Sequence, residues 1–211
     1  MQQTDDTTGR LTVIVVLAGT MREKADPADR FKTVIKDFNN RGVVTIPSSG
    51  NTGVAGPYPS TIDASGFRQG RVQDVNLIFW KFNHAWPDDV DMLLVHRGQN
   101  RTVMSDVGGS TDIIGANIIL DDEAVPPLPD ETAIDHNDAW KPRNYETMTI
   151  PDTLPSPAPN PPNPASRLSA FDGLNPNGSW SLYINDDDLC CPDNKIKGGW
   201  TLQITAKVLR R

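Results

Sequence analysis

Carboxylates are the side chains of this sequence most suited to chemistry, and they concentrate in predicted turns. Calcium takes roughly six to eight oxygen ligands from carboxylates and carbonyls, and neighbouring loops at one end of a β-sandwich supply such groups. The alternative is a set of solvated carboxylates that protect strand ends from unwanted pairing, and no EF-hand spacing is present. The candidate calcium ligands are Asp88, Asp89, Asp91, Asp106, Asp112, Asp121 and Asp122.

The other reactive residue types form no catalytic pattern. The chain contains no G-x-S-x-G, H-E-x-x-H, Walker-type or G-x-G-x-x-G sequence. His84 lies near an acidic loop, but no nucleophile accompanies it, so an exposed loop histidine is the simpler interpretation. Cys190 and Cys191 are adjacent and cannot join distant strands. They are free or vicinally bonded thiols, or they form a disulfide between subunits. We therefore expect no enzymatic activity.

Composition excludes some partner classes. The 211 residues carry 27 acidic and 20 basic side chains, a formal net charge of −7. A net acidic surface disfavours the phosphate backbone of a nucleic acid as a partner, and the only basic cluster in the sequence is Arg210–Arg211. The 16 glycines and 18 prolines are typical of many short strands joined by turns.

Two segments near the N-terminus have local patterns of their own. LTVIVVLA at residues 11–18 is rich in Val and Ile, which predicts a strand covered on both faces. It is shorter than the roughly 20 residues of a membrane span, and the acidic residues before it argue against a signal peptide. Asp26 and Pro27 are suited to begin a short helix, although partial alternation leaves a strand open. The apolar positions of that helix are Phe31, Val34, Ile35 and Phe38.

From Val43 onward the pattern predicts an all-β sandwich, because short apolar-polar alternations are separated by turn residues. The proline-rich residues 126–164 are predicted to pack as an ordered strap. The predicted strands are VVTIP, VQDVNLIFWKFNH, DMLLVHR, RTVMSD, GANIILDD, GSWSLYIND and GWTLQITAKVLR. In the last two, period-two spacing puts a tryptophan and two aliphatic residues on one face. These candidate core residues are Trp180, Leu182, Ile184, Trp200, Leu202 and Ile204.

Several sequence segments resemble the bacterial relatives of the P-domain of proprotein convertases. They are TIDASG, FNHAWPDDVDMLLVHRGQNRTVMSDVGGSTD, ANIILDDEA and, most specifically, NPNGSWSLYINDDD followed by GGWTLQI. The resemblance implies a secreted, eight-stranded jelly roll over residues 43–211. It also implies acidic positions associated with calcium, and a role in supporting an attached protease domain. Residues 1–42 are then an N-terminal extension of an apolar strand plus a short helix, and no subtilisin-like domain is present.

The apolar strand suggests how the chain functions. Exposed, it would be an aggregation hazard, so it either completes its own sandwich or inserts into the sheet of a neighbouring subunit. The leading hypothesis is an extracellular structural subunit of a fibre or surface layer, assembled as a homo-oligomer or filament through Leu11, Val13, Ile14, Val15, Val16 and Leu17. The alternatives are a calcium-dependent adhesion module that binds a glycan or cell-surface protein, and the P-domain of a secreted protease.

Overall fold

A computed structural model describes residues 30–134, 138–145, 153–189 and 194–210. Contacts divide the chain into Met1–Arg30 and Phe31–Arg211, and the fold described here is that of the second unit. The predicted assembly strand at residues 11–18 and the Cys190–Cys191 pair lie outside the described residues.

The described residues form strands joined by turns, with short 3-10 turns at Pro87–Asp89 and Leu168–Phe171. Within the described ranges, none of the helical segments has the length and hydropathy that a membrane crossing requires. The strands are β1 (Phe31–Asn40), β2 (Val44–Ile46), β3 (Gly53–Val54), β4 (Ser60–Ala64), β5 (Arg71–His84), β6 (Val90–His96), β7 (Gln99–Ser105), β8 (Ile113–Leu120), β9 (Ala139–Trp140), β10 (Arg143–Asn144), β11 (Gly178–Asp186), β12 (Asn194–Ile196) and β13 (Trp200–Leu209).

These strands make two sheets that pack face to face, and the predicted all-β sandwich is confirmed. In the first sheet β5 is central, with β13 and β12 along one side and β8 along the other. The strand β1 extends this sheet beyond β13, β2 pairs with β12, and β9 pairs with β8. The second sheet runs β10-β7-β6-β11, and both β3 and β4 pair with β11.

The core fills the space between the two sheets. Alternate residues of β5, among them Leu77 and Phe79, are fully buried because successive side chains of a strand point to opposite faces. Trp180 and Trp200 are also fully buried, and each indole N–H has an acceptor. Trp200 donates to the Ser60 hydroxyl at 2.9 Å, and Trp180 donates to a backbone carbonyl at 3.1 Å. Leu182, Ile184, Leu202 and Ile204 belong to the same core.

The predicted helix is wrong over Phe31–Asn40, which forms β1 and pairs with β13 along its whole length. Val34 and Phe38 face the core while Ile35 faces solvent, so period-two alternation rather than helical spacing describes the segment. Continuous pairing with a long partner satisfies the backbone groups on one side of this strand, and an isolated short helix has no comparable support. The boundary predicted between residues 42 and 43 stays a prediction, and β1 lies on its N-terminal side.

The part of the proline-rich strap around Leu154 and Ala158 lies against the outer face of the second sheet. Leu154 and Ala158 pack there on Leu93 and Tyr183 in a small cluster separate from the main core. Farther along the strap, the carbonyl of Asn163 accepts a hydrogen bond from the amide of Thr102 in β7 at 3.0 Å. The strap therefore covers apolar side chains that the two-sheet core leaves outside.

Candidate functional site

One end of the sandwich is acidic, and the ends of four strands build it. The end of β5 at His84 pairs with the start of β8 at Ile113, and the end of β11 at Asp186 pairs with the start of β6 at Val90. The loop after β7 lies at the same end, because Met104 near the end of β7 pairs with Met92 near the start of β6. We call residues 84–91, 105–113 and 185–189 the acidic end.

His84 and Asp186 meet at this end from opposite sheets. Both side chains are fully buried, and His84 Nε2 lies 3.3 Å from Asp186 Oδ2, within ion-pair distance but without hydrogen-bond geometry. The backbone amide of Trp86 donates to His84 Nδ1 at 3.2 Å, which assigns the ring proton to Nε2. Neither oxygen of Asp186 has a hydrogen bond in the described structure. His84 is thus a buried residue and not the exposed loop histidine that the sequence suggested.

Asp89 adds a second, nearly buried carboxyl group to the acidic end. Burial, and then the charges of Asp186, Asp188, Asp187 and Asp88, raise the pKa of Asp89 to about 7. The two loops are joined directly, because the amide of Asp187 donates to the carbonyl of Asp89 at 3.0 Å. Negative charge therefore accumulates around Asp89 at the acidic end.

Asp91 lies on the other face of the second sheet. It is paired in register with Asn185, whereas Asp186 is paired with Val90. Because neighbouring side chains of a strand alternate, Asp91 and Asn185 face outward and Asp186 faces the interior. Asn185 is nearly buried, and its Oδ1 atom has no hydrogen-bond partner in the described structure.

Asp88, Asp106 and Asp112 are the remaining predicted ligands at the acidic end. Asp88 lies in the Pro87–Asp89 turn, and burial followed by the charge of Asp130 raises its pKa. Asp106 Oδ2 accepts a hydrogen bond from Ser105 Oγ at 3.1 Å, and Asp112 lines a small groove beside His84. Across the described residues, no three His, Cys, Asp or Glu side chains are arranged to hold one metal ion.

Asp121 and Asp122 lie beyond the opposite end of β8, where they close turns. Asp121 Oδ1 accepts the amide of Glu123 at 2.7 Å. The Asp122 carboxylate accepts hydrogen bonds from the backbone amides of Leu168 and Ser169, at 3.0 and 2.8 Å, at the start of the Leu168–Phe171 turn. The structure therefore separates these two carboxylates from the other predicted ligands and gives them backbone partners.

A groove of a different kind lies beside β1. It encloses about 590 Å³ between β1, the 66–68 segment and the end of β13. Val34, Phe67 and Val208 provide apolar lining, while Lys32, Lys36 and Arg68 provide positive charge. The 66–68 segment is held in place because Asn177 donates to the carbonyl of Phe67 at 2.8 Å and accepts its amide at 3.0 Å.

A second, basic groove was not recognised in the sequence. It encloses about 880 Å³, and its lining includes Arg101, Lys141, Arg143 and Arg167 together with Asp122 and Glu123. Arg101 lies in β7, Lys141 and Arg143 lie in the strap at and beside β10, and Arg167 follows the strap, so three separate parts of the chain supply the four cations. Only the packing of the strap against β7 brings them together.

Comparison of the chain with protein-family models finds no matching family, and comparison with curated proteins and with solved structures finds no significant match. The function proposed below rests on the sequence and geometry of this chain.

Proposed function

We propose that the chain is a non-catalytic, P-domain-like extracellular structural subunit that self-assembles by strand addition. The apolar strand at residues 11–18 of one copy pairs with β1 of a neighbouring copy and extends its first sheet. The observation that carries the proposal is the edge position of β1, which has a strand partner on one side in the described structure.

The length and composition of β1 make it a suitable acceptor. Its 10 residues pair with β13 in an uninterrupted register, and among the described residues no strand pairs with its other side, so that side presents a long row of backbone groups to a further strand. Ile35 is 64% exposed on the solvent face, where a cross-strand apolar neighbour would cover it. An added strand rich in Val and Ile supplies such neighbours.

The groove beside β1 supports the same occupant. Val34 and Phe38 pack against the core but are only partly buried, so the core is incompletely covered along this edge. Apolar side chains of a donor strand would complete that coverage. Lys32 and Lys36 stand at the groove, and the acidic pair Asp5 and Asp6 precedes the donor strand in sequence. The charges of donor and acceptor are therefore complementary.

Chain length allows the donor to come from a second copy. Residues 19–30 join the donor strand to β1, and a fully extended connector of this length spans up to about 40 Å. That distance exceeds the width of one sheet of this size. A head-to-tail contact of this type forms a filament whenever its rotation does not close a ring.

Deletion of residues 1–20 tests the proposal. We expect the full chain to form oligomers in size-exclusion chromatography and negative-stain images, and the shortened chain to be a folded monomer by circular dichroism. Unchanged oligomers after the deletion would rule out strand addition. If the full chain is a monomer and deletion of residues 1–20 lowers its melting temperature, residues 11–18 instead complete the sandwich of their own chain.

A pair of substitutions tests the acceptor edge. Ile35→Lys places a charge on β1, and a lysine on an edge strand opposes pairing, so assembly should weaken. Ile114→Lys is the matched control, because Ile114 is 67% exposed on β8. Equal effects of the two substitutions on the oligomer population would exclude β1 as the acceptor.

A further inference from the structure

The basic groove concentrates positive charge in a protein whose formal net charge is −7. Four cationic side chains line it, Arg101, Lys141, Arg143 and Arg167, and the last three are exposed to solvent. Among the residues that the structure describes, none of the four forms an ion pair with a carboxylate. Their charges are therefore available to an anionic ligand.

The two acidic residues of the lining have other partners. Asp122 accepts hydrogen bonds from the backbone amides of Leu168 and Ser169, so its carboxylate is held at the start of that 3-10 turn. Glu123 shares a side-chain hydrogen bond with Asp121, and this bond raises the pKa of Glu123. Neither carboxylate is placed as the counter-ion of a groove cation.

Hydrogen bonds also hold the backbone beneath the cations. Next to Arg101, the Asn100 side chain accepts the amide of Asn163 at 2.7 Å and fixes the strap to β7. The amide of Lys141 donates to the carbonyl of Pro126 at 2.8 Å. A preformed groove of this kind loses little conformational entropy when a ligand binds.

The size and polarity of the groove indicate which anion fits. Its volume of about 880 Å³ is near the top of the range of ligand pockets, so it accommodates several units of a chain rather than one small ion. Besides the charged residues, its described lining consists of proline, alanine, serine and asparagine. It thus lacks the large apolar side chains that anchor a bound peptide.

We propose that the basic groove binds an acidic oligosaccharide through its carboxylate or sulfate groups. The planar guanidinium of arginine donates two parallel hydrogen bonds to such groups. Arg143 is held for this by a cation–π contact 4.8 Å from the centre of the Tyr145 ring. Ser166 and Ser169 place hydroxyl groups in the lining, and these match the hydroxyl groups of a sugar.

The groove is independent of strand addition. It uses neither β1 nor residues 11–18, and Lys141 directly follows β9, which lies at the opposite edge of the first sheet from β1. A filament assembled through β1 would therefore display one groove on each subunit. Repeated grooves bind a long polyanion more tightly than one groove does, because each further contact is intramolecular.

Isothermal titration calorimetry on the full chain at low ionic strength tests the site. The probes are a sulfated heparin hexasaccharide, a carboxylated hexamer of galacturonic acid and, as a control, a neutral hexamer of glucose. We expect at least one acidic probe to bind, and its affinity to fall as sodium chloride screens the charges. If neither acidic probe binds, or the neutral one binds equally well, the proposal fails.

Two further polyanions test the class of ligand. A glutamate hexapeptide and a single-stranded DNA hexamer carry negative charge without a sugar acid, and both should bind more weakly than the better acidic oligosaccharide. Tighter binding of the peptide or of the DNA would overturn the assignment to a glycan.

Substitutions separate a defined groove from general charge attraction. Arg167→Glu should weaken binding of the acidic oligosaccharide by about tenfold or more, because a charge-assisted hydrogen bond is replaced by repulsion. Arg41→Glu is the control, since it changes the net charge equally at an exposed position outside the groove, and it should leave the affinity nearly unchanged. Equal losses in the two variants would contradict the proposal. If circular dichroism shows that Arg167→Glu does not fold, Lys141→Glu replaces it, with the same loss expected.

Discussion

Carboxylates of this protein lie close enough to raise the pKa of a neighbouring carboxyl group at two places. At the acidic end, Asp89 and Asp186 share a buried environment, and His84 offers a single proton. At the other end of β8, burial and then the charges of Asp121 and Asp122 raise the pKa of Asp74. Both places concentrate negative charge, and at both a backbone amide donates to a neighbouring carboxylate: Leu189 to Asp188 at the first and Glu123 to Asp121 at the second.

Asp74 therefore makes stability depend on pH. A carboxyl whose pKa is raised on folding binds protons more tightly in the folded state, so its contribution favours folding at low pH and is lost as pH rises through the raised pKa. Asp74→Asn should raise the free energy of unfolding near neutral pH by about 0.5 kcal/mol or less, because solvent screens this half-exposed group. The gain should vanish in acid, where Asp74 is protonated.

Urea titrations at several pH values measure this effect. Asp63→Asn, on the exposed side of β4, is the control for losing one negative charge. A lower stability of Asp74→Asn near neutral pH would show that the 3.3 Å hydrogen bond from Asn76 outweighs the repulsion.

At the scale of secondary structure, tight turns decide how closely neighbouring strands approach. Gly199 precedes β13 with φ of +68°, and a side chain there would lie 2.8 Å from the Cα atom of Arg41 and against the carbonyl of Asn40. The chain after β1 and the turn before β13 thus pass in direct backbone contact. Gly50 has a similar φ of +79°, yet its surroundings are open.

The two glycines provide a matched comparison. Gly50→Ala should cost about 1 kcal/mol, since only backbone strain is added. Gly199→Ala should cost more than about 4 kcal/mol, because the backbone of the neighbouring segment must move. Chemical denaturation of both variants measures the difference, and equal costs would contradict the close approach at Gly199.

For the molecule as a whole, one main core joins the two sheets and a smaller cluster lies beneath the strap. Leu202 belongs to the core and Leu154 to the strap cluster, and both are almost completely buried. The core is enclosed by two sheets, whereas the strap has sheet on one side only. If a side chain beneath the strap is truncated, the strap can therefore move to fill the cavity more readily than two packed sheets can.

Leucine truncations should reflect this difference. Leu202→Ala should lower the free energy of unfolding by about 4 kcal/mol and Leu154→Ala by about 2 kcal/mol, because the cost of truncation rises with the cavity that remains. Urea denaturation measures both values. An equal or greater cost for Leu154→Ala would indicate that the strap is as tightly enclosed as the core.

The sequence by itself determined the strands β2, β5, β6, β7, β8, β11 and β13 and the apolar faces of β11 and β13, because period-two alternation is a local property that any half-buried strand displays. It did not predict β3, β4, β9, β10 or β12. The tertiary structure decided that Phe31–Asn40 is a strand, since pairing with β13 is a long-range contact that helical spacing does not report. It also divided the candidate ligands between two ends of β8 and brought His84 to Asp186 from the other sheet. Those arrangements depend on which strand ends meet. The residues involved are separated by about half the chain for His84 and Asp186 and by most of it for Phe31 and Leu209, so the local sequence pattern does not report them.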